Sequence, residues 1–255
     1  SEKELTYLAE SITSRNRFDS TWLLIGLGDG QLLKTLLACT TYTGQWKDYH
    51  QIVYVLEPSP VILQIFLKDI ELAELLAEDR VRFFIGPDCV DQFIDYLTNN
   101  QDAPIPGEII NSKYFKRSFY QQVNNSIGEL NDKIRKESEL LLAEIQAYYE
   151  PKDRNYWQKH FNSGSPLRVM GLSTRMSSFI QYCGMDFVEG FKDLGHQAEL
   201  LIEKDAHSRL RLSRILERIN EFKPDIFFVI DHLKEEYSWL PNNLPYFCWI
   251  QDLLQ

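Results

Sequence analysis

The chain has 255 residues, 44% of them apolar and 25% charged, with a formal net charge of −10. That balance supports a proper hydrophobic core in one large domain or two of ordinary size, and the negative field makes nucleic acid and anionic membrane surfaces poor partners. No apolar run approaches the roughly 18 residues of a membrane span, and Ser1-Glu2-Lys3-Glu4 does not read as a signal peptide, so a cytoplasmic location is expected.

Residues 3–13 read as a short amphipathic helix. The apolar run Trp22–Ile25 then meets three glycines at alternate positions, Gly26, Gly28 and Gly30, and a helical pattern of Leu32, Leu33, Leu36 and Leu37 follows. Strand, tight glycine turn and helix open a parallel α/β unit. Gln51–Leu56 reads as a buried parallel strand ending in Glu57-Pro-Ser-Pro60, with helical periodicity from Val61 to Leu76. Arg80–Ile85 gives a third strand, Cys89–Leu97 a helix and Glu108–Ile110 a short fourth strand. Alternating strands and helices joined by short turns predict a doubly wound sheet.

A long helix is expected over 113–149. Val123, Ile127, Leu130, Ile134, Leu141 and Tyr148 step by four and three, as along a coiled-coil seam, although Glu137 and Glu144 fall on the same line. Two readings stay open: a helix packed across its own domain, or a helix-mediated homodimer. The polar stretch Pro151–Ser165 reads as a linker.

A second α/β unit begins with the strand Leu167–Gly171, followed by a Ser- and Thr-rich loop, Leu172–Tyr182, and a helix, Asp186–Leu194, stopped by Gly195. Ala198–Ile202, Asp225–Ile230 and Tyr246–Ile250 are the next strands, with an amphipathic helix, Arg209–Phe222, between the first two. The fold class is thus α/β, with two Rossmann-like parallel-sheet units. The division expected is 1–112, a helix and linker over 113–165, and 166–255. Because the last strand reads as buried and the sequence stops just beyond it, the second unit reads as an incomplete half, and the chain as a fragment.

Two stretches carry candidate chemistry. Gly26, Gly28 and Gly30 make room for a ligand at a helix N-terminus, and Glu57, ending the second strand, is placed to accept hydrogen bonds from ribose hydroxyls. Two departures stand beside this: Gln31 replaces the third glycine of the dinucleotide pattern, and Leu24 stands where methyltransferases carry an acid. In the second unit Asp231, His232 and Asp252 lie at strand ends, where a base for a hydroxyl acceptor would sit. Alternatively, Asp231-His232 is a turn cap and Asp252 a helix cap. Ser173, Thr174 and Arg175 either bind an acceptor or line a solvated loop. His196 reads as structural, pairing with backbone. The four cysteines, Cys39, Cys89, Cys183 and Cys248, form no Cys-x-x-Cys and read as reduced thiols; the five histidines show no metal-ligand spacing.

The strings LLIGLGDGQLLKTLL, VYVLEPSP and RNYWQKHFNSG, over residues 20–160, resemble the Rossmann-like domain of motility accessory factor proteins and their pterin-pyrophosphokinase-like relatives. The resemblance implies a nucleotide-binding ancestry and an association with glycosylation. The strings from Leu167 to Glu203, Phe222 to Leu233 and Leu244 to Asp252 resemble the amino-terminal half of two-domain (GT-B) glycosyltransferases, near the spore-maturation CgeB-like group. That resemblance implies an acceptor-side half, with the donor-binding half absent. Its substrates would be a nucleotide sugar and a glycan or protein acceptor.

The leading expectation is therefore a glycosyltransferase fragment. The alternatives are an S-adenosylmethionine-dependent methyltransferase centred on the glycine turn and Glu57, and a non-catalytic Rossmann-like scaffold or dimerisation module.

Overall fold

The computed structural model describes residues 2–15, 20–40, 51–68, 79–112, 115–205 and 207–251, with the side chains of 2–5 left aside. It is mixed α/β with two four-stranded parallel sheets, the class the sequence predicts. Two compact units divide the chain: Ser1–Asp132 with Ala206–Arg209, and Lys133–Asp205 with Leu210–Gln255.

In the first unit β1 (Trp22–Ile25), β2 (Val53–Glu57), β3 (Val81–Ile85) and β4 (Glu108–Asn111) lie in the order β3-β2-β1-β4, all parallel. Every residue of β1 and β2 is buried, as strands with both faces covered must be. On one face Trp22, Leu24, Val53 and Val55 pack with Ile12 of α1 (Glu2–Arg15), Leu33 and Leu36 of α2 (Gln31–Cys39), and Phe66 of α3 (Pro60–Phe66). The opposite face is aromatic: Tyr54 and Phe84 meet Phe93 of α4 (Cys89–Asn99), each with ring centroids 5.2 Å apart. Buried Arg80 ends α2 by donating to the carbonyls of Leu37 and Thr40, two acceptors that a helix C-terminus leaves unpaired. Of the helix predicted over 61–76, residues 69–76 lie outside the described residues.

α5 (Arg117–Tyr149) is one continuous helix of 33 residues. Val123, Ile127 and Leu130 are buried, Ile145 and Tyr149 belong to the core of the second unit, and Leu141 and Tyr148 pack against that core. The apolar line suggested as a dimer seam is thus largely spent on packing within the chain. Residues 151–165 are not simply a linker: they hold α6 (Arg154–Phe161), whose Trp157 enters the second core and donates from Nε1 to the Asn243 carbonyl at 2.6 Å. Trp157 is the buried side chain of a helix whose average composition is polar, so mean composition conceals the docking. Lys152, also buried, sits 3.4 Å over the Tyr148 ring.

In the second unit β5 (Arg168–Leu172), β6 (Gln197–Leu201), β7 (Ile226–Ile230) and β8 (Tyr246–Trp249) run parallel in the order β6-β5-β7-β8. Met170, Phe227 and Val229 face Ile215, Leu216 and Ile219 of α8 (Leu212–Phe222). The other face is covered by α7 (Ser178–Asp193), whose Phe187 stacks on Phe228 at 3.7 Å. α7 starts about two turns before the predicted Asp186, because Ser177 caps it by accepting from the Ile180 amide. Gly195 takes φ 85°, the left-handed C′ residue expected there. β8 is a sheet edge rather than a buried strand: Phe247 and Trp249 keep 46% and 41% of their surface exposed. Among the described residues no helix is long and apolar enough to cross a membrane.

Candidate functional site

An open parallel sheet binds ligands at the carboxyl edge, where strand order reverses and adjacent loops diverge. Among the described residues each sheet has one such point: between β1 and β4, and between β5 and β7.

At the first, the turn after β1 takes left-handed φ at all three glycines, 86° at Gly26, 55° at Gly28 and 81° at Gly30. Side chains rarely adopt that conformation, which accounts for the alternate-glycine spacing. Gly26 also faces a crowded neighbour. A Cβ there would lie 2.1 Å from a ring carbon of Phe115 and 3.1 Å from the Ser112 Cβ. The Phe115 ring, itself 5.5 Å from Phe119, fills the space over the glycine.

Glu57 ends β2 with 1% of its surface exposed. Its Oε2 accepts from the Leu27 amide and its Oε1 from the Ser59 amide, each at 2.9 Å. The carboxylate therefore ties the turn after β1 to the turn after β2. Such a buried anion is stable only because both oxygens are hydrogen-bonded. Cys89 lies in the same region; burial, and then the negative charge of Glu57, push its thiol up to about 11, so it stays protonated at neutral pH.

At the second point, Ser173, Thr174 and Arg175 follow β5. The Ser173 hydroxyl donates to the Ile180 carbonyl at 3.4 Å, and the Thr174 hydroxyl to Glu203 Oε1 at 3.3 Å. Arg175 gives its amide to Glu203 Oε2 at 2.9 Å and its Nε to the Glu203 carbonyl. Glu203, just beyond β6, was not among the expected residues, and it engages two of the three. Arg175 nevertheless remains exposed.

Asp231 follows β7 at φ 57°, a left-handed conformation that aspartate tolerates better than most side chains. Its Oδ1 accepts from the Gln251 amide at 2.6 Å, and its own amide donates to the Trp249 carbonyl at 3.0 Å. Asp231 thus fastens the exit of β7 to the exit of β8. His232 is different: its side chain is 54% exposed, and its Nδ1 lies 2.9 Å from Oε2 of Glu236. Glu236, in a short 3-10 turn (Lys234–Glu236), also accepts from the Leu233 amide through Oε1 at 2.8 Å. The hydrogen bond from His232, and then that from Leu233, hold its carboxyl below the usual range. The sequence signal for this partner is the four-residue step from His232 to Glu236, weak on its own because many turns carry a nearby acid. Asp252 lies outside the described residues. His196 is structural as expected, its Nδ1 accepting from the Leu167 amide at 3.1 Å.

Among the described residues no group of three or more His, Cys, Asp or Glu could hold a metal ion. Comparison of the chain with protein-family models, curated proteins and solved structures gives no match.

Proposed function

We propose that residues 166–255 form the acceptor-side half of a two-domain glycosyltransferase, with His232 as the base. The observation that carries this reading is an exposed imidazole, held through Nδ1 by a carboxylate, at the carboxyl end of the strand flanking the β5/β7 switch point. The loop with Ser173, Thr174 and Arg175 leaves the neighbouring strand and supports the same location for an acceptor.

In the reaction, the acceptor oxygen forms a bond to the anomeric carbon of a nucleotide sugar. The anomeric carbon–oxygen bond breaks, its electron pair leaving with the nucleoside diphosphate. The acceptor hydroxyl proton passes to Nε2 of His232. Asp231 serves as a loop fastener rather than a second base.

The test is turnover of UDP-, GDP- and dTDP-sugars by the protein. Transfer or hydrolysis is expected with at least one donor, falling about 10²- to 10⁴-fold in His232→Ala. Silence with every donor overturns the reading.

For residues 1–112 we infer the scaffold role over the methyltransferase one. Its support is the Phe115 ring over Gly26 and a Glu57 carboxylate occupied by two amides. Saturating S-adenosylmethionine or nucleotide at a hundred times a dissociation constant would add about 2.7 kcal/mol to the stability of a binding protein. No thermal shift is expected with either; a clear shift returns the glycine turn to the list of live sites.

A further inference from the structure

His232 is fixed from several directions, more than a solvated turn needs. The residue before it is held by the Trp249 carbonyl and the Gln251 amide. Its own carbonyl accepts from the Tyr246 hydroxyl at 2.7 Å. Its ring meets Tyr237 edge-on, with centroids 6.0 Å apart. Lys234, two residues on, anchors the following turn by donating to the carbonyls of Asn242 and Leu244, each at 2.9 Å. The Nδ1 partner is itself immobilised, since Glu236 spends Oε1 on the Leu233 amide and Oε2 on the ring.

We propose that Glu236 is a positioning residue, which fixes His232 in the Nδ1–H tautomer and leaves the Nε2 lone pair directed to solvent for an acceptor hydroxyl. An ionised carboxylate can only accept, so a neutral imidazole 2.9 Å away carries its proton on Nδ1. The proton taken up from the acceptor then resides on Nε2, and the imidazolium so formed faces the negative charge of Glu236. This is the logic of a base oriented by a third group, with the orienter held by backbone. The role of Glu236 in transfer rests on the reading of His232 as the base; its control of the tautomer does not.

Long-range proton–nitrogen NMR correlations of the imidazoles, on the 255-residue chain labelled with nitrogen-15, test the assignment directly. His232→Ala identifies the signal. The Nδ1–H tautomer is expected to dominate the neutral form in the wild type, to be lost in Glu236→Ala, and to be largely kept in Glu236→Gln, whose amide oxygen still accepts. A wild-type ring in the Nε2–H form, or a tautomer unchanged in Glu236→Ala, overturns the proposal. Because both side chains are exposed, the variant is expected to stay folded, and the remaining histidine signals report whether it does.

Donor turnover by the protein separates this result from the broader reading. In an active transferase Glu236→Ala lowers kcat with the donor KM unchanged, and Glu236→Gln recovers part of the loss. An active transferase indifferent to Glu236→Ala removes the positioning role. A protein silent with all donors, yet with the expected tautomer behaviour, removes glycosyl transfer and leaves the control of His232 by Glu236 standing.

Discussion

The two switch points are built alike and finished differently. Each follows a buried central strand, each has a tight exit loop, and each places a carboxylate close to that exit. Between β1 and β4 the parts close on themselves: Glu57 is buried under two amides and Phe115 lies on Gly26. Between β5 and β7, Asp231 takes the fastening role, and His232 with Glu236 stays at the surface. A carboxylate at a strand end is therefore not a site by itself. What separates a ligand-facing acid from a structural one is whether backbone amides have already claimed its oxygens.

The largest effect is expected in Gly26→Ala. A methyl group there meets the Phe115 ring at 2.1 Å on a backbone with φ 86°. Overpacking and left-handed strain together are expected to cost about 4 kcal/mol in denaturant unfolding. In a Phe115→Ala background only the strain remains, about 1–2 kcal/mol, so the two changes couple strongly. Additive costs would mean that the ring does not rest on the glycine.

Removing Glu57 comes next. A ribose-binding acid can be deleted with little effect on the unliganded fold. Glu57→Ala instead strands two buried amides and is expected to destabilise by about 3 kcal/mol. Glu57→Gln keeps one acceptor oxygen and should cost roughly half as much. A Glu57→Ala variant as stable as the wild type would reopen the ligand reading.

Cys89 reports on the same buried anion through pH. Its folded pKa is raised to about 11 by burial and by Glu57, above the ordinary thiol value of 9.0. A raised pKa contributes stability that is fully present below 9.0 and is lost as pH rises through about 11. The loss attributable to this thiol is about 2 kcal/mol by pH 11. Alkaline unfolding of Cys89→Ala should accordingly show a shallower decline than the wild type; identical limbs would place Cys89 outside the effect.

These residues also show what a sequence can and cannot yield. The glycine spacing, the β-branched run before Glu57 and the helix stop at Gly195 each reflect a local rule, and strands, helices and both parallel sheets follow from such rules. Contacts made across loops do not. Nothing near Gly26 in the chain announces that Phe115 will cover it, and nothing near Glu57 says that its oxygens are taken by Leu27 and Ser59. The helix around Trp157 was hidden for a related reason, since a single buried ring anchors a segment whose average is polar. Glu236 was within reach four residues from His232, but its turn had to be formed before the spacing meant anything.

Asp231 allows a finer comparison with Glu57. It is less buried than Glu57, so its removal should cost less. Asp231→Ala loses the acceptor for Gln251 and places alanine at φ 57°, for about 2 kcal/mol in all. Asp231→Asn keeps the acceptor oxygen and tolerates the backbone, so stability should stay within about 0.5 kcal/mol. If donor turnover is found, Asp231→Asn should also retain it, because a fastener needs an oxygen and not a charge; a large loss in this variant would make Asp231 a base.

The smallest effect expected is at Glu236, and its size follows from the surface position. A carboxyl held below its usual range by His232 and the Leu233 amide contributes stability above the unfolded value of about 4.3 and loses it as pH falls through the lower folded value. Solvent screens an exposed pair strongly, so the acid limb of unfolding in Glu236→Ala should differ from the wild type only slightly, becoming shallower. The imidazole tautomer should change completely in the same protein. A group that moves a neighbour's proton while hardly affecting the fold is arranged for chemistry at that neighbour, whereas Glu57 should show the reverse: a large cost to the fold and no exposed partner to direct. Measuring both responses in both variants would settle whether the two carboxylates have the separate roles their hydrogen bonds assign.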